Sequence, residues 1–137
     1  MLAAYEAALA VLHQAASTSS ANSPALSAAF ADPVLDKLKN LFISRSLVGQ
    51  AARTPEPSQA STTLMDFRFE DDGAATILEC SVDDGIVFEL ASGRVINDKV
   101  ATLQRRAELR LVDGDWKVTE LVNLGEWEGV TVCAGSL

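Results

Sequence analysis

Basic residues, histidine, cysteine and long apolar runs are all scarce in this chain, and each scarcity narrows what it can do. Only 11 Lys and Arg stand against 19 Asp and Glu, a net charge of −8 over 137 residues. Phosphate backbones need clustered cations, so nucleic acid is excluded as a partner, and anionic membrane surfaces are disfavoured for the same reason. No uninterrupted apolar stretch of about 18 residues occurs, so no segment reads as a bilayer-spanning helix. The opening Met1-Leu-Ala-Ala-Tyr-Glu has neither a basic region nor a long apolar centre, and does not read as a signal peptide. The Met is either a native start or stands where an export or anchor segment was removed. His13 is the single histidine, at the edge of an apolar helical stripe, and no nucleophile-base triad can be assembled around it. Cys80 and Cys133 are the only cysteines, with neither CxxC spacing nor a histidine cluster to make a zinc site. Glycine-rich phosphate loops and HExxH are absent. No cofactor, metal or catalytic residue is therefore assigned.

What remains is the composition of one globular domain, 48% apolar and 22% charged, spanning 1–137. Residues 1–22 are Ala-rich, with Leu9, Val11, Leu12 and Ala16 at helical spacing, and predict an amphipathic helix. Ser23-Pro24 caps a short helical turn through Phe30. Asp32-Pro33 starts a second full helix whose apolar face is Val34, Leu35, Leu38, Leu41 and Phe42, and Gly49 stops it. Residues 50–61, with Pro55 and Pro57, read as a polar linker loop, 62–124 as sheet, and 125–137 as a tail. Helices followed by a run of antiparallel strands is the α+β pattern, with the helices on one face of a curved sheet.

Two hairpins dominate that sheet. Around Asp72-Gly73 the expected register sets Phe69 by Thr76, Phe67 by Leu78 and Met65 by Cys80. Around Asp113-Gly114 it sets Leu111 against Trp116, Leu109 against Val118, Ala107 against Glu120, Arg105 against Val122 and Leu103 against Leu124. Arg105 and Glu120 then lie one rung apart on the apolar face. A charged pair there is either a self-satisfied ion pair or the polar lining of a pocket. Asp83-Asp84-Gly85 and Asp71-Asp72-Gly73 read as turn chemistry ahead of metal or acid-base sites. Arg106, Glu108, Arg110, Lys117, Thr119 and Leu121 form an outer face suited either to solvent or to a homodimer formed through the sheet.

Four stretches carry a family likeness: Asp32-Pro-Val-Leu-Asp-Lys-Leu, Ala75-Thr-Ile-Leu-Glu-Cys-Ser-Val-Asp-Asp84, Val112-Asp-Gly-Asp-Trp-Lys-Val118 and the late Cys133. With them the chain resembles the nuclear transport factor 2-like superfamily, the α+β cone shared with ketosteroid isomerases and polyketide cyclases. It is most similar to exported or membrane-tethered actinobacterial members, and the likeness runs from about Tyr5 to the end. The resemblance implies a Cys80-Cys133 bridge and an extracytoplasmic setting. From the residues alone, two buried free thiols or a reactive thiol remain alternatives, and free thiols would imply a cytoplasmic protein. The isomerase chemistry of the fold needs a Tyr and Asp constellation. Tyr5, the one tyrosine, does not match a family catalytic position, and Asp66 alternates away from the apolar face. The expectation is a non-enzymatic, extracytoplasmic interaction or small-ligand-binding module of an envelope-associated protein, its partner an unidentified protein or an apolar small molecule. The alternative is an isomerase, cyclase or hydrolase using a cone pocket with Glu120 and Arg105.

Overall fold

Ala-rich sequence with Tyr5, Ala8 and Ala15 on one stripe makes the first helix, α1 (Leu2–Ala16), in the computed structural model, which describes residues 1–133. The buried stripe is rotated from the expected one: Leu9, Val11, Leu12 and Ala16 lie at its margins, only half-buried. Ser19 then adopts a left-handed backbone (φ 51°), and its hydroxyl donates to the Gln50 carbonyl at 2.6 Å, fastening the turn to the strand beyond. Helix α2 (Pro24–Ala29) has Ser23 at its cap and Pro at its first turn, as its sequence predicts. It delivers Phe30 fully buried onto the sheet, where Phe30 bridges Val118 in parallel and the Ala31 N–H donates to the Val118 carbonyl at 2.9 Å.

Helix α3 (Val34–Leu47) starts after Asp32, whose Oδ1 accepts from the Asp36 N–H at 3.1 Å. Val34 and Phe42 are its buried residues, and Leu41 is exposed, narrower than the expected apolar face. Among the described residues no helix is long and apolar enough to cross a membrane.

The strands form two antiparallel sheets. A small one has the order β1 (Gln50–Arg53), β4 (Ile86–Glu89), β5 (Val95–Asn97). The larger has the order β2 (Ser61–Phe69), β3 (Ala75–Asp83), β6 (Ala101–Val112), β7 (Asp115–Glu128). The 50–61 linker thus opens with a strand, and the sheet runs four residues further than expected, to Glu128. The tail proper begins at Gly129, and residues 134–137 of the expected tail lie outside the described residues.

Ala75, Ile77, Ala107, Leu109 and Val118 supply the sheet's inner face and pack with Tyr5, Leu26, Phe30, Val34 and Phe42 into one core. The helices do not cover all of that face. Every residue of β2 is exposed, and Leu64, Met65, Phe67 and Phe69 among them are large and apolar.

Both hairpin registers depart from expectation by one residue, the first at its turn and the second at a bulge. The first turn holds three residues, Asp71 to Gly73, because the Glu70 N–H donates to the Ala74 carbonyl. Phe69 therefore faces Ala75 and Phe67 faces Ile77, and a bulge at Met65 then sets Leu64 against Glu79 and Thr63, in place of Met65, against Cys80. The second hairpin follows its expected register from the turn to Leu109 and Val118; then a bulge at Thr119 sets Glu108 against Glu120 and Ala107 against Leu121. A bulge adds one residue to one strand, and with a side-chain period of two it turns every later side chain over. The same shift sets Arg105 against Asn123, and a second bulge, at Leu124, then sets Gln104 against Gly125 and Leu103 against Glu126.

Candidate functional site

The bulge at Thr119 breaks up the expected Arg105 and Glu120 pair. Glu120 is carried to the outer face, where its carboxylate meets Arg106 at 3.7 Å, while Leu121 turns inward beside Ala107. Arg105 remains on the inner side and pairs with a residue the sequence did not single out, Glu79 of β3, its direct cross-strand neighbour. The Arg105 Nε donates to Glu79 Oε1 at 2.7 Å, and the Glu79 side chain is only 1% exposed against 19% for Arg105. Glu79 alternates with Ala75 and Ile77 along β3, so parity puts it among core residues.

Tyr5 of α1 closes this site from the helix side. Its hydroxyl and Glu79 Oε2 are both buried, and neither has a hydrogen-bond partner among the described residues. Burial, and then the neighbouring Glu79 charge, push the phenol well above its ordinary range, while Arg105 pulls the other way. The phenol is therefore neutral throughout the physiological range. An acid, a phenol and a guanidinium in contact have the ingredients of proton transfer, but Glu79 and Tyr5 are sealed from solvent and from any substrate of ordinary size.

The concavities lie elsewhere. One of about 650 Å³ sits between the end of α1, the turn after it and the C-terminal half of α3, lined by Gln14, Ser19, Asn22, Ile43, Ser46 and Leu47 among others. Another of about 250 Å³ lies on the outer face, where the tail crosses Thr63, Met65 and Val82. Neither is lined by a titratable side chain. Among the described residues no group of three His, Cys, Asp or Glu is placed to hold a metal ion.

The tail is fixed covalently and by hydrogen bonds. Cys80 and Cys133 form a disulfide with a Cα–Cα distance of 5.8 Å, across a sequence separation of 53. The fully buried Thr102 hydroxyl donates to the Gly129 carbonyl at 2.8 Å and accepts from the Thr131 N–H at 3.0 Å. The tail so held covers part of the outer face. The remainder of that face is occupied with its own charges, Arg110 pairing with Glu108 at 2.9 Å and with Asp72 at 2.8 Å.

Asp84 is a second residue whose role was missed. It is buried, and its carboxylate accepts from the Ser58 hydroxyl at 2.8 Å and the Gln59 N–H at 2.6 Å, pinning the Pro-containing loop to the end of β3. Nothing at Asp83-Asp84-Gly85 distinguished this from a turn. The expected turn chemistry holds at Asp83, whose carboxylate accepts from the Gly85 N–H at 2.9 Å. Asp72 likewise accepts from the Ala74 N–H at 3.1 Å, and its pairing with Arg110 holds its carboxyl below the usual carboxylate range.

The structure defines an α+β protein with N-terminal helices packed on antiparallel sheets. The intermembrane space region of the chloroplast protein ARC6 shares this fold: its crystal structure superposes with a TM-score of 0.70 at 15% identity, over 89% of this chain and 92% of that one. No protein-family model and no curated protein sequence matches the chain.

Proposed function

We propose that this chain is a non-enzymatic, extracytoplasmic protein-interaction module of the nuclear transport factor 2-like class, working in a protein of the cell envelope. The observation that carries this reading is the open inner face of β2. Phe67, Phe69 and Leu64 stay exposed beside the core, and Trp116 lies against Phe69 with ring centroids 6.1 Å apart. Apolar clusters of this kind mark contact surfaces. The disulfide supports an oxidising compartment. So does the fold neighbour, whose crystallised portion is described as an intermembrane space region. The sealed Glu79 and Arg105 pair supports a structural role for the ionic group buried on the inner face, and argues against an isomerase, cyclase or hydrolase built on Arg105 and Glu120.

A photo-crosslinking residue placed at Phe69 in living cells tests the proposal, with the same residue at Asn40 on α3 as control. The expected outcome is a discrete adduct from position 69 only, together with thiols that resist labelling until reduced. Equal adducts from both positions, or free thiols in cells, would remove it. The 650 Å³ concavity supports a second reading, binding of a small uncharged ligand between α1 and α3, because it is roomy enough and carries polar hydroxyl and amide groups beside Ile43 and Leu47.

A further inference from the structure

We propose that the occupant of the β2 edge is a second copy of this chain, paired antiparallel about a two-fold axis at Phe67. This rests on the interaction reading above and names its partner. The main-chain geometry comes first. The Glu70 N–H donates to the Ala74 carbonyl at 2.8 Å, so residue 70 directs its backbone toward β3. Antiparallel ladders alternate along the strand, so Phe69 and Phe67 direct theirs off the free edge. One of those outward groups is already engaged: Asp66 Oδ1 accepts from the Phe67 N–H at 2.7 Å. An edge strand with free donors and acceptors is a template for another strand.

The side chains then select both partner and register. Pairing about a two-fold at Phe67 sets Phe67 against Phe67, Asp66 against Arg68 of the second copy, and Arg68 against its Asp66. A bulge at Met65 turns that side chain to the outer face, so beyond Asp66 it is Leu64 of the second copy that comes beside Phe69 on the inner face. Two cross-strand ion pairs form and no like charges face one another. The neighbouring symmetric registers lack this property. Centring on Asp66 sets that carboxylate against itself; centring on Arg68 sets Arg68 against itself and Asp66 against Glu70; centring on Phe69 pairs Arg68 with Glu70 but brings Asp66 to Asp72 and runs the pairing off the strand into the turn at 71–73. Opposite charges directly across strands stabilise and like charges destabilise, so the strand discriminates among its own registers.

The groups to be displaced are weakly held. Arg68 leaves an exposed contact with Glu70 at 3.3 Å, and exposed ion pairs contribute little. Asp66 exchanges the Phe67 N–H, which passes to the Phe67 carbonyl of the second copy. Each copy carries a net charge of −8, so the dimer is modest in affinity and strengthens as salt screens the long-range repulsion over about 8 Å at physiological ionic strength. The joined sheet has eight strands, four from each copy, with the open apolar residues of both copies meeting at the seam.

Analytical ultracentrifugation of the disulfide-intact protein across a concentration series, with charge-reversal variants, tests this. The wild type should pass from monomer to dimer with rising concentration. Asp66→Arg and Arg68→Asp should each weaken dimerisation about tenfold, from two lost pairs and two like-charge contacts per dimer. An equimolar mixture of the two variants should restore it, because Asp66→Arg then meets Arg68→Asp across the seam. Both positions are solvent-exposed, and unchanged circular dichroism will show that the variants fold. A wild type that stays monomeric at millimolar concentration, a dimer indifferent to either reversal, or a mixture no tighter than its components would each overturn the proposal. A position-69 crosslink to a different protein would overturn self-pairing while leaving the interaction reading intact.

Discussion

Replacing Arg105 by methionine removes one partner of the buried ion pair while leaving the other in place. Glu79 is 1% exposed, its Oε2 already lacks a hydrogen-bond partner, and Arg105 supplies the donors to Oε1. Without them a carboxylate remains in the core beside an unpartnered phenol. Breaking a buried pair on one side costs about 3–5 kcal/mol, because the remaining charge is uncompensated. That is a large part of the roughly 5–15 kcal/mol that holds a typical domain together, and it corresponds to a fall in melting temperature of about 10–20 °C at this chain length. Replacing both residues, Glu79→Leu with Arg105→Met, removes the charge along with its partner and should return stability to within about 1 kcal/mol of the wild type. Urea unfolding followed by tryptophan fluorescence, with the disulfide intact, measures both variants, and Glu79→Leu alone closes the double-mutant cycle. A loss below about 1 kcal/mol for Arg105→Met, or a double variant as unstable as the single one, would refute the account of the pair as sealed and self-compensating.

Three further outcomes follow from other groups. Replacing Cys80 and Cys133 together by serine releases a loop with a sequence separation of 53 and should lower stability by roughly 4 kcal/mol, read from the urea midpoint. The raised Tyr5 phenol contributes stability that is complete below the ordinary tyrosine value near 10 and is lost as pH climbs above it. Wild type should therefore lose about 1.4 kcal/mol more than Tyr5→Phe by pH 11, and parallel alkaline curves would contradict the burial of that hydroxyl. Asp84→Ala frees the Ser58 and Gln59 contacts and should cost about 1.5–3 kcal/mol, with faster amide exchange confined to 54–60.

The element order was legible because each segment carries its own period and punctuation. Ser23-Pro24 and Asp32 start helices where they were expected, and both Asp-Gly tips turn hairpins. Register was legible only as far as the first irregularity. Leu111 with Trp116 and Leu109 with Val118 pair as expected, and one inserted residue, Thr119, then reverses the sidedness of Glu120 and Leu121. Nothing local announces that bulge. The Thr119 hydroxyl finds Glu108 Oε1 at 2.9 Å, a partner eleven residues back on the neighbouring strand. Glu79 was legible in principle, as the one charge within Ala74 to Val82, yet its partner depended on how β3 and β6 align. Tyr5 could not be placed at all, since its contact with Glu79 depends on how α1 docks.

The disulfide also decides where mechanical load enters the molecule. Cys133 is bonded to Cys80 in β3, an interior strand flanked by β2 and β6, while β7 lies at the sheet's edge. A pull on the chain beyond Cys133 is therefore transmitted to the middle of the sheet and cannot peel β7 from its border one hydrogen bond at a time. With the bridge closed, tension loads the ladders on both sides of β3 together. Reducing it moves the load to the Thr131 and Gly129 contacts with Thr102 and then to Glu128 of the border strand, and the fold becomes one that unzips.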